Sequence, residues 1–440
     1  MDVETPAPMV TRRKAPMKAP CPRCGVAGRR KRTLTRLVRE VAYERAVARR
    51  VVYGEYAASC GCSKTFRTTP PGVRPRARYG DQVRRLVFDR VVKDGMSVDR
   101  ALASIRRDFH LTLSAGFAHR VLRERAATLD LAARRRESLE RFGGVLCVDE
   151  LHLGRATLLL ATDPTADAPV AFAVVGKNDA AHMRRFLGNL KSWGFLPRVV
   201  VSDGARMYPG VVAEVWPRAA HQLCLFHAVR DLIGPALDAA RRLRRAIERR
   251  GRTGRKRRRG RPSRRAKEAA ERRGPTLAEK AGSAFRRRHL VVKRREKLTD
   301  AERADLAAMI AAVPGLAVPR RFADAVYAIF DGAASAAEAA SRRDAVAADP
   351  EFLAVPELAR AIRRLKAPEF DKVAGHLDRP EGLRERTNNH VERTNRSLRL
   401  LEKVRYGWRR RRTLVRFLAL KLDEIWSRLQ PTPDHAPRWS

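Results

Sequence analysis

The stretch GGVLCVDELHLGRATLLLATDPTADAPVAFAVVG, Gly143–Gly176, contains the apolar runs VLCVDELHL, ATLLLATD and APVAFAVV, separated by turn residues. Short apolar runs bounded by Gly, Pro and Asp read as strands, and connections this short allow only antiparallel neighbours. Working outward, DAAHMRRFLGNLKSWGF (Asp179–Phe195) has the period of an amphipathic helix, PRVVVSDG (Pro197–Gly204) reads as a fourth strand, PGVVAEVW (Pro209–Trp216) as a helix, and HQLCLFH (His221–His227) as a fifth strand. A three-stranded meander followed by alternating helix and strand is the order of a ribonuclease-H-like core, a mixed sheet with helices on both faces.

On the N-terminal side the pattern changes twice. Cys21-Pro-Arg-Cys24 and Cys60-Gly-Cys62 flank strand-like segments, among them VAYERAVARRVVY (Val41–Tyr53), and two close cysteine pairs fit a four-thiolate zinc ribbon. Unpaired cysteines at turns are the alternative. Between Arg78 and Ala126, YGDQVRRLVFDRVVKDGMS, VDRALASIRRDFHL and SAGFAHRVLRERA read as helices, broken at Gly95 and over His110–Ser114. Ser114 is placed to cap the last of them and to turn His119, Arg120 and Arg123 toward a groove, as in a helix-turn-helix; a plain three-helix bundle with a basic face is the competing reading.

Past Leu232 the strands stop. An Arg-rich stretch containing GRTGRKRRRGRPSRR is followed by Ala-rich helical sequence from Leu298 to Leu365, and a last helical segment, Arg386–Trp426, carries RTNNHVERTNRSLRLLEKVRYGWRR. The expected organisation is therefore multidomain α+β: a flexible basic tail (1–20), a zinc ribbon (21–70), a helix-turn-helix (78–130), the first part of the core (140–235), a basic all-α insertion (236–380), and the second part of the core (381–430).

The 440-residue chain has 94 Lys and Arg against 48 Asp and Glu, a net charge of +46, which calls for a polyanionic partner, nucleic acid above all. No secretory leader and no run of about eighteen apolar residues is present, so a cytoplasmic protein without membrane spans is expected. The six cysteines are then expected as thiols or metal ligands, not disulfides.

Phosphodiester cleavage and transfer can be run by two divalent cations about 4 Å apart, held by carboxylates from separate segments. Asp149 lies within the first strand, Asp203 ends the fourth, and Glu392 opens the last helical segment. The two central strands of such a sheet bring Asp149 and Asp203 side by side. Asp163, before Pro164 in a turn, reads as structural, and Glu150 points to the opposite face of its strand from Asp149.

The order of cysteine pairs, helix-turn-helix, VDE, SDG, CLFH and TNNHVERTNRSLRLLEKVRYGWRR resembles the DDE transposases of bacterial insertion sequences, most closely the ISL-three group. The resemblance covers nearly the whole chain and is most specific at Asn389, Glu392 and Asn395 with the basic stretch ending Tyr406-Gly407-Trp408. It implies Asp149, Asp203 and Glu392 as the triad for two Mg2+ or Mn2+ ions, Asn389 and Asn395 as active-site support, and one structural Zn2+. It further implies double-stranded DNA as partner, both terminal inverted repeats and target, bound by a homodimer on paired ends near the bacterial nucleoid. By likeness to the hAT and Mutator groups, Cys224 and His227 would stand beside Asp203 and order DNA near the scissile phosphate; a zinc role or plain packing are the other readings. Tyr406 and Trp408 are expected to stack on DNA at the element's end, with closure of a core as the alternative. The Arg-rich stretch from Arg241 to Arg273 is more basic than the family pattern requires. Besides the enzyme, a domesticated or inactive transposase acting as a sequence-specific DNA-binding protein is carried as the second reading.

Overall fold

The computed structural model describes residues 9–10, 15–42, 45–68, 72–205, 207–252, 263–273, 276–366, 368–405, 408 and 410–428. The chain divides into two compact units, one comprising Met1–Arg134, Leu151–Thr157 and Thr394–Ser440, the other Arg135–Glu150 and Leu158–Arg393.

The first unit opens with β1 (Met9–Val10), β2 (Lys18–Pro20), β3 (Ala27–Ala42), β4 (Arg45–Ala57) and β5 (Thr65–Arg67), in the order β1-β4-β3-β2 with β5 paired to β4. β3 and β4 form one long hairpin that starts before the segment Val41–Tyr53 read from sequence and turns within it; Val38 and Val51 are buried with Val73 on one face, while Thr33, Thr35 and Leu37 are exposed on the other. At the end of the hairpin that carries the cysteines, Tyr56 and Phe66 stack at 5.4 Å over Ala19 and Cys21. Three helices follow, α1 (Asp81–Phe88), α2 (Val98–Phe109) and α3 (Ala115–Ala127), around Val83, Val87, Ile105, Leu111, Leu113, Ala118 and Val121. Ser97 and Ser114 cap α2 and α3 by accepting from Arg100 N–H and Phe117 N–H, and Gly95, at φ 73°, breaks the chain between the first two helices. Helix α4 (Leu131–Glu140) leads out of the module.

In the second unit the expected order of elements is observed. Strands β6 (Val145–Leu153), β7 (Ala156–Asp163) and β8 (Ala168–Val175) are followed by α5 (Ala180–Ser192), β9 (Val199–Ser202), α6 (Met207–Val215) and β10 (Ala220–Leu223), and the sheet runs β10-β9-β6-β7-β8. β9 is parallel to β6 and to β10, while the short links β6–β7 and β7–β8 permit only antiparallel pairing. Leu146 and Val148 of β6 face α5 and α6, packing with Met183, Leu187, Tyr208 and Val211.

The fifth strand is shorter than HQLCLFH suggested. It ends at Leu223, the Cys224 N–H makes one further bond to Ser202 O, and from Leu225 the chain is helical in α7 (Leu225–Arg252). Four consecutive apolar residues cannot by themselves distinguish strand from helix, and here the stripe Leu225, Val229, Leu232 and Ala236 takes the helical period. α7 crosses position 235/236 without interruption, so no element boundary lies there. Beyond it come α8 (Arg264–Arg273), α9 (Leu277–Arg286), α10 (Asp300–Ala312), α11 (Ala317–Phe330), α12 (Ala336–Ala348), α13 (Pro350–Leu353), α14 (Pro356–Ile362) and α15 (Glu369–Ala374), the all-helical stretch expected from composition. Of GRTGRKRRRGRPSRR, residues 253–262 lie outside the described residues.

The last described helices are α16 (Asn389–Arg405) and α17 (Arg411–Arg428), and within the first unit Leu420 of α17 packs with Phe88, Val91 and Leu122. No helix among the described residues is long and apolar enough to cross a membrane.

Candidate active site and metal centre

β6 and β9 are paired from Val145–Val199 to Cys147–Val201, and the same register continued two residues further sets Asp149 level with Asp203. Asp203 follows the carboxyl end of β9, the edge where open α/β sheets gather their ligands, and Asp149 lies midway along the adjacent β6. The end of β9 is fixed from the side: Ser202 is fully buried, its Oγ lies 2.8 Å from His221 Nε2, and Asp203 Oδ1 accepts from Ala205 N–H at 3.0 Å. Burial, followed by the charges of Lys372 and Arg379, lowers the His221 pKa to about 4, so this imidazole is neutral at physiological pH.

Glu150 is turned away from Asp149, as the strand alternation requires. It accepts from Asn178 Nδ2 at 3.0 Å and from the Tyr208 hydroxyl. The Tyr208 phenol, unread from sequence, is pushed well up by burial first, then by the charge and hydrogen bond of Glu150, and further by the charges of Asp149 and Asp203. Asp163 is buried and accepts from Gly143 N–H and Thr165 N–H, the structural turn expected of it.

Glu392 lies in the first turn of α16, whose start is anchored by Asn388. That residue is fully buried, its N–H donates to Cys224 Sγ at 3.2 Å, its Nδ2 donates to Val148 O at 3.2 Å, and its carbonyl accepts the helical bond from Glu392 N–H. Asn388 thus ties the glutamate helix to the backbone one residue before Asp149. Asn389, expected to support the site, is exposed; the doublet Asn388-Asn389 gave no means of telling which member faces inward. Asn395, the other expected support, is buried one turn after Glu392. A second anchor comes from Asp167, in the left-handed region at φ 49° between β7 and β8, which receives the Arg393 guanidinium and lies 2.7 Å from His390 Nε2.

Cys224, just before α7, is buried, and His227, in the first turn of α7, is half-buried. The Cys224 thiol is raised above its ordinary range, mainly by burial. Cys224, His227 and Glu392 bring one ligand atom each to within 4.8 Å of one another, so Glu392 groups with this pair.

A family model described as a transposase, the ISL3 group of the DDE type, matches residues 146–417, which spans the sheet, the helical stretch and α16. The chain belongs to the ISL3-type DDE transposases. No curated protein matches it.

The transposase carries a second cluster at its N-terminal end. Cys21, Cys24, Cys60 and Cys62 are all free and place their sulfurs within 4.8 Å of one another. Tetrahedral Zn–S bonds of about 2.3 Å require sulfurs about 3.8 Å apart, so the set fits zinc. Backbone N–H groups of Arg23 and Cys24 lower the Cys21 pKa to about 7, which favours the thiolate a metal takes.

The transposase presents His119, Arg120 and Arg123 on the exposed side of α3, opposite the buried Ala118 and Val121. Arg120 lines a cleft of about 910 Å³ with Arg39, Arg74, Arg76 and Arg78. Arg123 lines a shallower groove with Arg411, Arg412 and Arg416, where burial and then the charges of Arg412 and Arg123 hold the Arg416 pKa below its ordinary value. Trp408, half-buried, packs on Phe417 at 4.9 Å with the Arg405 guanidinium 5.1 Å from its centroid. Tyr406 lies outside the described residues.

Proposed function

We propose that this transposase cleaves DNA at the ends of its own insertion sequence and joins the resulting 3′ hydroxyls to target DNA, using Asp149, Asp203 and Glu392 as one carboxylate set. The observation that supports the reading is the β6–β9 register, seen from Val145–Val199 to Cys147–Val201, whose extension by two residues would set Asp149 level with Asp203, together with the Asn388 bond from the Glu392 helix to Val148 O. The three groups are hard oxygen donors suited to Mg2+ or Mn2+, and such ions, when bound, would activate the attacking oxygen and neutralise the charge on the leaving one.

The protein's own residues do the positioning. The Ala205 N–H orients Asp203, the Ser202–His221 contact stiffens the strand end beneath it, and the Asp167 anchor holds the first turn of α16. The arginines around α3 would hold phosphates and set register on the duplex, while His119 and Arg120 face the groove in a helix-turn-helix mode. The cysteine cluster would act as a zinc ribbon keeping the hairpin end in shape. Two copies on paired element ends would complete the reaction.

The test is incubation of the purified protein and Mg2+ with DNA flanking its own gene, with nicks mapped at nucleotide resolution. Nicks at fixed positions in an inverted repeat support the enzyme. Specific binding to the repeats with no nick would favour the DNA-binding reading instead.

A further inference from the structure

We propose that Cys224, His227 and Glu392 form a second divalent-metal site, suited to a borderline-soft ion such as Zn2+, and that filling it withdraws Glu392 from the catalytic carboxylates and so inhibits strand cleavage. The part concerning cleavage rests on the reading of Glu392 given above.

The three ligands come from two rigid elements. Cys224 immediately precedes α7, His227 lies three residues on in its first turn, and Glu392 sits in the first turn of α16. His227 Nδ1 and Glu392 Oε1 are 3.4 Å apart, close to the separation that Zn–N and Zn–O bonds of about 2.0–2.2 Å impose in a tetrahedron. Both atoms are buried and face each other as an ion pair without hydrogen-bond geometry, so a cation placed between them would use a lone pair of each. The Asn388 N–H donates to the sulfur, the kind of outer contact that orients a metal-bound cysteine. On binding, the Cys224 S–H bond is replaced by S–Zn and the proton passes to solvent, leaving a fourth position for water or a phosphate oxygen. The sulfur and imidazole select Zn2+ over Mg2+, whereas Asp149 and Asp203 offer oxygen alone. Glu392 is the group the two sets share.

The experiment titrates full-length protein with Zn2+ against a chromophoric chelator, then repeats Mg2+-supported cleavage at each zinc level. Two zinc ions per chain are expected, falling to one in Cys224→Ser and in His227→Gln, with second-site affinity down at least about a hundredfold, since even outer-shell losses cost ten- to a hundredfold. The ion lost in Cys21→Ser is the other one. Cleavage by the unaltered protein should fall as the second zinc binds and recover when it is chelated. A single zinc per chain, lost in Cys21→Ser and kept in Cys224→Ser and His227→Gln, overturns the site. Two zinc ions with cleavage unchanged would leave the site standing and overturn its link to Glu392 and with it that residue's catalytic assignment. Two positions are varied so that one misfolded variant does not decide the result.

Discussion

Replacing Asn388 with Ala should loosen the Glu392 helix from the strand that carries Asp149. The side chain is fully buried and its Nδ2 satisfies Val148 O at 3.2 Å, so truncation leaves a buried carbonyl unpaired at about 1–3 kcal/mol. Its own Oδ1 is buried without a partner, and removing that oxygen returns part of the loss, which places the net cost near the lower end, about 1–2 kcal/mol. For a unit of this size the melting midpoint should drop about 2–8 °C. Cleavage should suffer more than stability, because a displacement of about 1 Å at a reacting geometry costs roughly a hundredfold in rate. Asn388→Asp keeps the shape, sets an oxygen against Val148 O, and should be worse in both readouts. Scanning fluorimetry and single-turnover cleavage on repeat DNA measure the two effects. An Asn388→Ala protein that melts and cleaves like the parent refutes the anchor.

Serine at Cys21 and Cys24 should remove one zinc per chain and weaken repeat binding; unchanged zinc content would show that the four sulfurs hold no metal. DNA affinity should fall steeply with salt, and Arg123→Ala with Arg416→Ala should lower the log–log slope by about 2, since each lost phosphate contact removes roughly 0.9. A slope unaffected by the pair would place the DNA elsewhere. The His221 pKa, lowered to about 4 against an unfolded value of about 6.5, lies below its unfolded value, so the stabilisation is complete above pH 6.5 and is lost as pH falls through 4. Stability should decline by about 3 kcal/mol across that window, and His221→Asn should flatten the decline.

Strand existence and order were legible because turn residues separate the apolar runs so clearly between Gly143 and Gly204, and alternation alone assigned Asp149 and Glu150 to opposite faces. The Ser114 cap was legible for a similar reason, since it depends on one local hydrogen bond. What failed to show were choices that tertiary packing makes. Leu225-Phe226-His227 is apolar enough for either strand or helix, and the stripe buried along α7 decided it. Asn388 and Asn389 are chemically identical neighbours, and only the position of Val148 O and Cys224 selects the first. Trp408 lies between α16 and α17, and its partner Phe417 comes nine residues later on α17, a pairing no local pattern encodes. Tyr208 sits inside an apolar helix whose period gives its burial but not the three acids around it.

The most direct test of the account is cleavage by Asp149→Asn, Asp203→Asn and Glu392→Gln, each of which keeps the size of the side chain and removes its charge. With repeat DNA and Mg2+, cleavage should vanish in all three while repeat binding stays at the parent level, because the carboxylates act on the phosphate and the arginines around α3 hold the duplex. Asp163→Asn should still cleave. Loss of cleavage in Asp163→Asn with retention in Asp203→Asn would contradict the assignment and move the second carboxylate to β7.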